Sequence, residues 1–414
     1  MNVVWGNTEK STRILADLAE HAGDVESIAR DESFWFQVQQ AFTVDRSLIN
    51  FNNGGVSPSP AIVQRAMKEH LDFSNHAPAY TMWRILEPQR EQVRSRLARF
   101  FAVDREEIAL TRNASEGLQI CQFGMKLEDG DEILTTTQDY PRMINTWKQR
   151  EQREGIKLTQ IQIPVVSEEP ETIVSLFENA ITPRTRVILL CHVINLTGQI
   201  LPVRNVVRMA RKRGIPVIVD GAHSFAHFDF DHSDLDCDYY ATSLHKWLFA
   251  PHGTGLLYVR RDRIRDLWPM MAANDEQVDD IRKFEEIGTH PAANYLAIAE
   301  ALTFNLGIGL ARKAARLHYL KTYWAEQLLE IGRVRILTSL DPRFSCAIAT
   351  LQIDGIESPE LVKYLWSEHR ILTAGILHPE FEGVRISPSV YSTIEEIDRF
   401  CDVMRRIATH GLPS

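Results

Sequence analysis

The chain has 414 residues, too many for one small core, so two packed domains are expected. Its residues are 44% hydrophobic and 24% charged, an ordinary globular composition. A formal net charge of −9 argues against nucleic-acid binding as the main task, because a phosphate-binding face usually brings a basic excess. Basic runs such as Arg260-Arg261-Asp262-Arg263 are interrupted by carboxylates and read as solvated surface.

Five cysteines, Cys121, Cys191, Cys237, Cys346 and Cys401, are widely spaced and form no CxxC. That pattern favours reduced thiols over a disulfide framework. The N-terminus has no basic-then-apolar signal pattern, and no apolar stretch is long enough to span a bilayer. A cytoplasmic protein without membrane partners is expected.

Residues 1–50 read as a charged, helical N-terminal segment, with Ile14, Leu15 and Leu18 on one spacing. Leu48 to Pro58 is a short apolar piece that breaks into an Asn-Gly-Pro loop. Residues 51–290 read as a large domain. Helical spacing covers Glu91–Phe101. Strands are expected at Ile108–Leu110, Glu132–Thr135, Val187–Cys191, Val217–Val219 and Gly255–Val259. Helices are expected over Ala114–Met125, Arg142–Glu154 and Val203–Arg213. Near-continuous apolar strands alternating with helices imply an α/β fold with a mostly parallel sheet covered on both faces. Ligands of such sheets sit beyond the carboxyl ends of the strands. Residues 291–414 read as a smaller α+β domain. It holds a long helical region from Tyr295 to Leu329, strands at Cys346–Leu351 and Val384–Ile386, and a final helix near Ile394–His410.

The residues that carry chemistry lie at strand ends. The run Ile215–Val219 delivers Asp220, followed by Gly221-Ala222-His223. Next comes Ser243-Leu244-His245-Lys246, followed by Trp247-Leu248-Phe249. An amine in an apolar setting has a lowered pKa and forms imines readily. A carboxylate closing a buried strand can hold a pyridine nitrogen protonated, and the pair is what pyridoxal phosphate (PLP) chemistry needs. Read singly, Lys246 is also a plausible surface cation and Asp220 a plausible helix cap. Thr111 to Gly117 joins a strand to a helix, so free N–H groups near Ala114 and the Ser115 hydroxyl make an anion site or a plain cap. Tyr140 could stack on a planar ring or simply pack. Asn195 reads as a turn residue or a donor to a bound group. Arg385, flanked by apolar residues, reads as a carboxylate clamp or a structural ion pair.

A histidine- and acid-rich run, His223 to Asp238, invites a metal reading, but its spacing matches no compact ligand set. A nicotinamide dehydrogenase needs a GxGxxG after the first strand, and none occurs.

Together these residues resemble the class V aminotransferases of the type I PLP fold, in the branch of isopenicillin N epimerase-like proteins. The resemblance covers about Phe51 to Thr393. It implies a seven-stranded, mostly parallel sheet and an enzyme acting at the α-carbon of an amino acid. Lys246 would bond the cofactor and shuttle the proton, and Asp220 would pair with the pyridine nitrogen. Tyr140 would stack on the ring, where desulfurase relatives place histidine. Asn195 and His223 would face the ring oxygen. The Ala114 N–H, Ser115, Ser243 and His245 would hold the phosphate. Thr289 would reach the phosphate of a neighbouring subunit, implying a homodimer with shared sites. Asn53 would stand on the substrate side and Arg385 would clamp the carboxylate.

Two departures narrow the reading. Desulfurases of this class carry a nucleophilic cysteine on a loop shortly before the arginine, and here Thr373 to Gly383 holds none. The twin-arginine leader of secreted relatives is also absent. Transamination or epimerisation is expected, with a C–S β-lyase as the rival outcome. A non-catalytic regulatory module is the other class of alternative, and the acidic N-terminal stretch shows no sign of the DNA-binding segment it would need.

Overall fold

The computed structural model describes residues 8–21 and 23–413. Three helices, Thr8–Glu20, Val25–Arg30 and Glu32–Gln39, open the chain. Asp31 caps the third by accepting from the Ser33 and Phe34 N–H groups. Their apolar faces (Leu15, Leu18, Phe34, Trp35, Val38) share a buried cluster with Trp247 and Phe249. The N-terminal helices therefore brace the segment that carries Lys246.

A short strand β1 (Ile49–Asn50) precedes the main sheet. That sheet comprises β2 (Ile108–Thr111), β3 (Glu132–Thr136), β4 (Lys157–Ile161), β5 (Thr185–Cys191), β6 (Val217–Asp220), β7 (Tyr239–Ser243) and β8 (Gly255–Val259). Their order is β2-β8-β7-β6-β5-β3-β4. Strands β3 to β7 run parallel, and β8 is antiparallel to both its neighbours. Every residue of β2, β3, β6, β7 and β8 is buried. Strands buried on both faces need helices on both sides, which Ala114–Gly124, Pro141–Glu154, Pro170–Ala180 and Val203–Arg211 provide.

The expected strands are present. The edge strand β4 escaped the reading because its Lys-Leu-Thr-Gln-Ile sequence is half-exposed and polar. Strand β7 escaped as a strand because two tyrosines followed by Ala, Thr and Ser make no aliphatic run.

The C-terminal domain holds an antiparallel sheet of β9 (Val334–Ile336), β10 (Ala349–Ile353), β12 (Ala374–His378) and β13 (Phe381–Ile386), in the order β12-β13-β10-β9. Helices Leu310–Leu329, Ser358–His369 and Ile394–His410 accompany it. Strand β11 (Ile371–Leu372) pairs in parallel with β1, so Ile49 and Phe51 pack in this core. Two expectations are corrected. The long helical region is three helices, Ala292–Leu296, Ile298–Ile308 and Leu310–Leu329, the last break falling at Gly309, whose φ is +85°. The strand expected from Cys346 begins at Ala349.

Candidate active site

A cavity of about 470 Å³ opens at the carboxyl ends of β5, β6 and β7. That is room for a cofactor with a small substrate. Lys246, Asp220, His223, Asn195, Tyr140, Ala114, Ser115, Ser243, His245 and Arg385 all line it. Residues 130 positions apart or more in sequence thus meet in one place.

Lys246 sits on the turn that follows β7. The turn is fixed from behind: Trp247, Leu248 and Phe249 are fully buried. His227 stacks on Trp247 at 3.8 Å with 2° between the rings. Lys313 donates to the Trp247 carbonyl and to Asn305. Burial lowers the Lys246 amine to about 8, against the pull of Asp220. Its Nζ lies 3.0 Å from His223 Nε2. Burial and the Lys246 charge hold His223 well below its usual value, so its ring is neutral and accepts from the ammonium. The other ring nitrogen, Nδ1, is buried without a partner.

Asp220 closes β6 and is 5% exposed. Its Oδ1 accepts the Ala222 N–H at 2.9 Å. Burial pushes its carboxyl up to about 6. A buried acid with one hydrogen bond and no bound cation is under-compensated, and a protonated ring nitrogen would supply what it lacks.

At the other side of the cavity, helix Ala114–Gly124 begins with Asn113 as its cap, accepting the Glu116 N–H. The Ala114 N–H donates to Ser243 Oγ at 2.9 Å. Close approach of backbone makes this cradle possible. A Cβ on Gly255 would lie 2.6 Å from Asn113 Cα. His245 donates from Nδ1 to the Thr254 carbonyl at 3.0 Å, which orients its ring and leaves Nε2 for the cavity. Burial lowers this ring to about 4, and a phosphate beside it would reverse that shift.

Arg385, on β13, is buried, and burial lowers it to about 10. Nη1 donates to the Asn195 carbonyl and Nη2 to Asn52 Oδ1, both at 2.8 Å. Nε is buried without a partner, as is Asn195 Oδ1. These orphaned groups, His223 Nδ1 among them, mark a site built for a polar occupant. A ring with an oxygen substituent, a phosphate and a carboxylate fits their donors and acceptors. Tyr140 is 37% exposed at the start of helix Pro141–Glu154, placed to cover a flat ring.

One expected residue lies elsewhere. The Asn53 side chain is wholly buried, donating to the carbonyls of Asn50 and Ser387 and accepting from the Tyr391 hydroxyl. Its neighbours reach the cavity instead: Asn52 holds Arg385, and Gly54 and Gly55 line the wall. Asn52 bridges to Ser387 while Asn53 enters the turn, so their side chains leave in different directions, a difference no local motif announces. Thr289, expected at the phosphate of a neighbouring subunit, lines a second cavity of this chain beside Arg90, Arg94 and Glu285.

Sequence reasoning missed Cys191 and Arg142, both of which line the cavity. Cys191 ends β5 directly beside Asp220 in register, a neighbour relation no local motif carries. All five cysteines are buried and free. Burial, Asp139 and Asp220 push the Cys191 thiol well up, and burial pushes Cys346 up to about 12. Cys346 lies against the His227 and Ala314 carbonyls, away from the cavity lining. Within the histidine-rich run, His227 is occupied structurally, donating to the His223 carbonyl and accepting the Ala347 N–H. Among the described residues, no group of three or more His, Cys, Asp or Glu is placed to hold a metal, and no helix is long and apolar enough to cross a membrane.

Comparison with known proteins agrees with this geometry. Residues 49–400 match the model of the aminotransferase class-V family. The chain is 30% identical over 390 residues to the isopenicillin N epimerase of Streptomyces clavuligerus, across 89% of this chain and 97% of that protein. It is 26% identical to a probable cysteine desulfurase of Vibrio cholerae, across 88% and 94%. Among solved structures, the cysteine desulfurase of Thermococcus onnurineus NA1 superposes with a TM-score of 0.80 at 23% identity, covering 91% of this chain and 98% of that one. A C-DES mutant with glycine covalently linked to its PLP cofactor superposes at 0.79, with 23% identity, covering 89% and 98%. The sheet, the C-terminal domain and the lysine-bearing cavity therefore have one source: the chain belongs to the class V aminotransferase family of PLP-dependent enzymes with the type I fold.

Proposed function

We propose that the protein acts at the α-carbon of an amino acid as an aminotransferase or epimerase. One observation carries this reading. A buried amine lowered to about 8 shares a cavity with a buried acid and an arginine that has a free Nε, while the thiol on its wall, Cys191, is buried and held well above its usual pKa. PLP, when bound, supplies an aldehyde for amines and a ring that withdraws electrons from the α-carbon. Lys246 holds the cofactor, then takes and returns the α-proton at Nζ. His223 accepts a hydrogen bond from that amine and steers it. Asp220 keeps the ring nitrogen protonated. The Ala114 N–H, Ser115, Ser243 and His245 bind the phosphate, and Tyr140 covers the ring. Arg385 clamps the substrate carboxylate, with Asn52 and Asn195 fixing its plane.

Delivery of the proton by Lys246 to the cofactor side would correspond to transamination, and delivery of a proton to the opposite face of the α-carbon by a second donor would correspond to epimerisation. The named activity of the Streptomyces relative supports the second outcome. A C–S β-lyase remains the runner-up. The buried, high-pKa thiols weigh against the desulfurase route, which needs a reactive thiol beside the substrate. The active unit is read as a homodimer in which Thr289 completes the neighbouring phosphate site. Five free cysteines suit the reducing cytoplasm.

The test incubates the PLP-loaded protein with a panel of amino acids in heavy water. It scores α-deuteration, keto-acid release and sulfide or thiol release side by side. Deuteration with inverted configuration, or keto-acid release, is expected. Sulfide release without either would overturn the assignment in favour of the lyase.

A further inference from the structure

The β12–β13 hairpin touches the molecule's chemistry at both ends. Arg385 lies near the far end of β13 and lines the lysine cavity. The turn between the strands lies on the segment that leads to Tyr140. Thr137 Oγ1 donates to Glu380 Oε1 at 2.5 Å, and Gln138 Nε2 to Glu380 Oε2 at 3.1 Å. His378 Nε2 donates to the Thr137 carbonyl at 3.0 Å, while its Nδ1 accepts the Glu380 N–H at 3.2 Å. The two bonds fix one tautomer of the ring.

The segment it grips has little freedom of its own. Asp139 Oδ2 accepts from the Thr136 N–H and from the Thr135 and Thr136 hydroxyls. Its Oδ1 accepts the Cys191 N–H at 2.7 Å. Gln138 is fully buried and also donates to the Ile163 carbonyl. Tyr140 follows at once. One face of this segment is thus tied to β5 and the other to the hairpin. No cation pairs with Glu380 among the described residues, so its carboxylate serves two neutral donors on another domain. Its role is geometric.

We propose that Glu380 and His378 are positioning residues: a clasp that fixes the C-terminal domain on the Tyr140 segment. The clasp sets the distance between the carboxylate clamp and the ring-covering tyrosine. Strand β13 is the spacer between them, about 17 Å from Glu380 to Arg385 at the rise of an extended chain. Where desulfurases of this class carry a cysteine-bearing loop, this chain has a hairpin tied down at its tip. The inference rests on the PLP reading of the cavity.

The test uses the holoenzyme and the variants Glu380→Ala, Glu380→Gln and Thr137→Val. All keep Lys246, so the visible cofactor band and its stoichiometry should match the parent. Glu380→Ala should lose about half of the circular dichroism of that band. It should also raise KM for the amino acid about tenfold, with kcat changed far less. Glu380→Gln keeps an acceptor oxygen and should fall between. If Glu380→Ala fails to fold, Thr137→Val deletes one donor at constant volume and should shift both readouts the same way by about threefold. Unchanged dichroism and KM in whichever variant folds would overturn the clasp. A parent protein with no visible band would instead sink the cofactor reading.

Discussion

The amine of Lys246 offers the sharpest test of the site's electrostatics. Burial lowers it from an ordinary 10.5 to about 8, while Asp220 pulls it upward. At pH 7 an amine with a pKa of about 8 is roughly one-tenth neutral, about 300 times more than an ordinary lysine. Only the neutral amine attacks an aldehyde. The rate at which cofactor-free protein captures PLP should therefore rise about tenfold between pH 7 and pH 9 and then level off. Stopped-flow absorbance of the bound-cofactor band across that range reads the rate directly. The variant Asp220→Asn removes the charge that raises the amine, so its plateau should begin at lower pH. A rate that climbs steadily past pH 10 in the parent would mean a solvated amine. A plateau that does not move in Asp220→Asn would mean that the acid does not act on Lys246.

Other expectations concern binding and stability. Arg385→Ala should raise KM for amino acids about 100-fold in steady-state kinetics, because a desolvated charge-assisted clamp is lost. Arg385→Lys should recover only part of that, since an ammonium cannot replace the planar fork held by Asn52 and Asn195. Gly255→Ala would drive a Cβ to 2.6 Å from Asn113 Cα, displacing the start of helix Ala114–Gly124. Equilibrium dialysis of PLP should then show weaker cofactor binding, and the urea midpoint should fall. Glu285 is 8% exposed at its side chain and pairs with Arg94, which is 1% exposed, while also accepting the Leu110 N–H at 2.6 Å. Glu285→Ala leaves Arg94 with Glu91 and the Ile108 carbonyl but orphans the buried Leu110 N–H, and should cost about 1–3 kcal/mol in urea unfolding.

The legible part of this protein was the part where chemistry acts through short stretches of chain. Asp220 is readable because β6 must be apolar until its last residue, and Lys246 because the turn after β7 carries Ser243, His245 and the lysine in four positions. The main sheet was readable for the same reason: strands buried on both faces write themselves as aliphatic runs. Where burial is partial the signal fades, which is why the polar edge strand β4 left no mark.

What stayed hidden depends on register or on distant pairs. The choice between Asn52 and Asn53 turns on a single position in a loop beside Ser387, and the chain shows that pairing only once folded. Cys191 enters the cavity because β5 pairs with β6 so that it stands opposite Asp220. The clasp joins Thr137 to Glu380 across 243 positions, and neither residue is unusual where it stands. A glutamate in a hairpin turn and a threonine after a strand are ordinary surface residues until the two domains meet. The site residues that local sequence does not announce are those placed by contacts between distant segments. The contacts between the C-terminal domain and the Tyr140 segment are of this kind. The Thr137–Glu380 contact is therefore where to test whether inter-domain geometry, and not the lysine alone, governs this cavity.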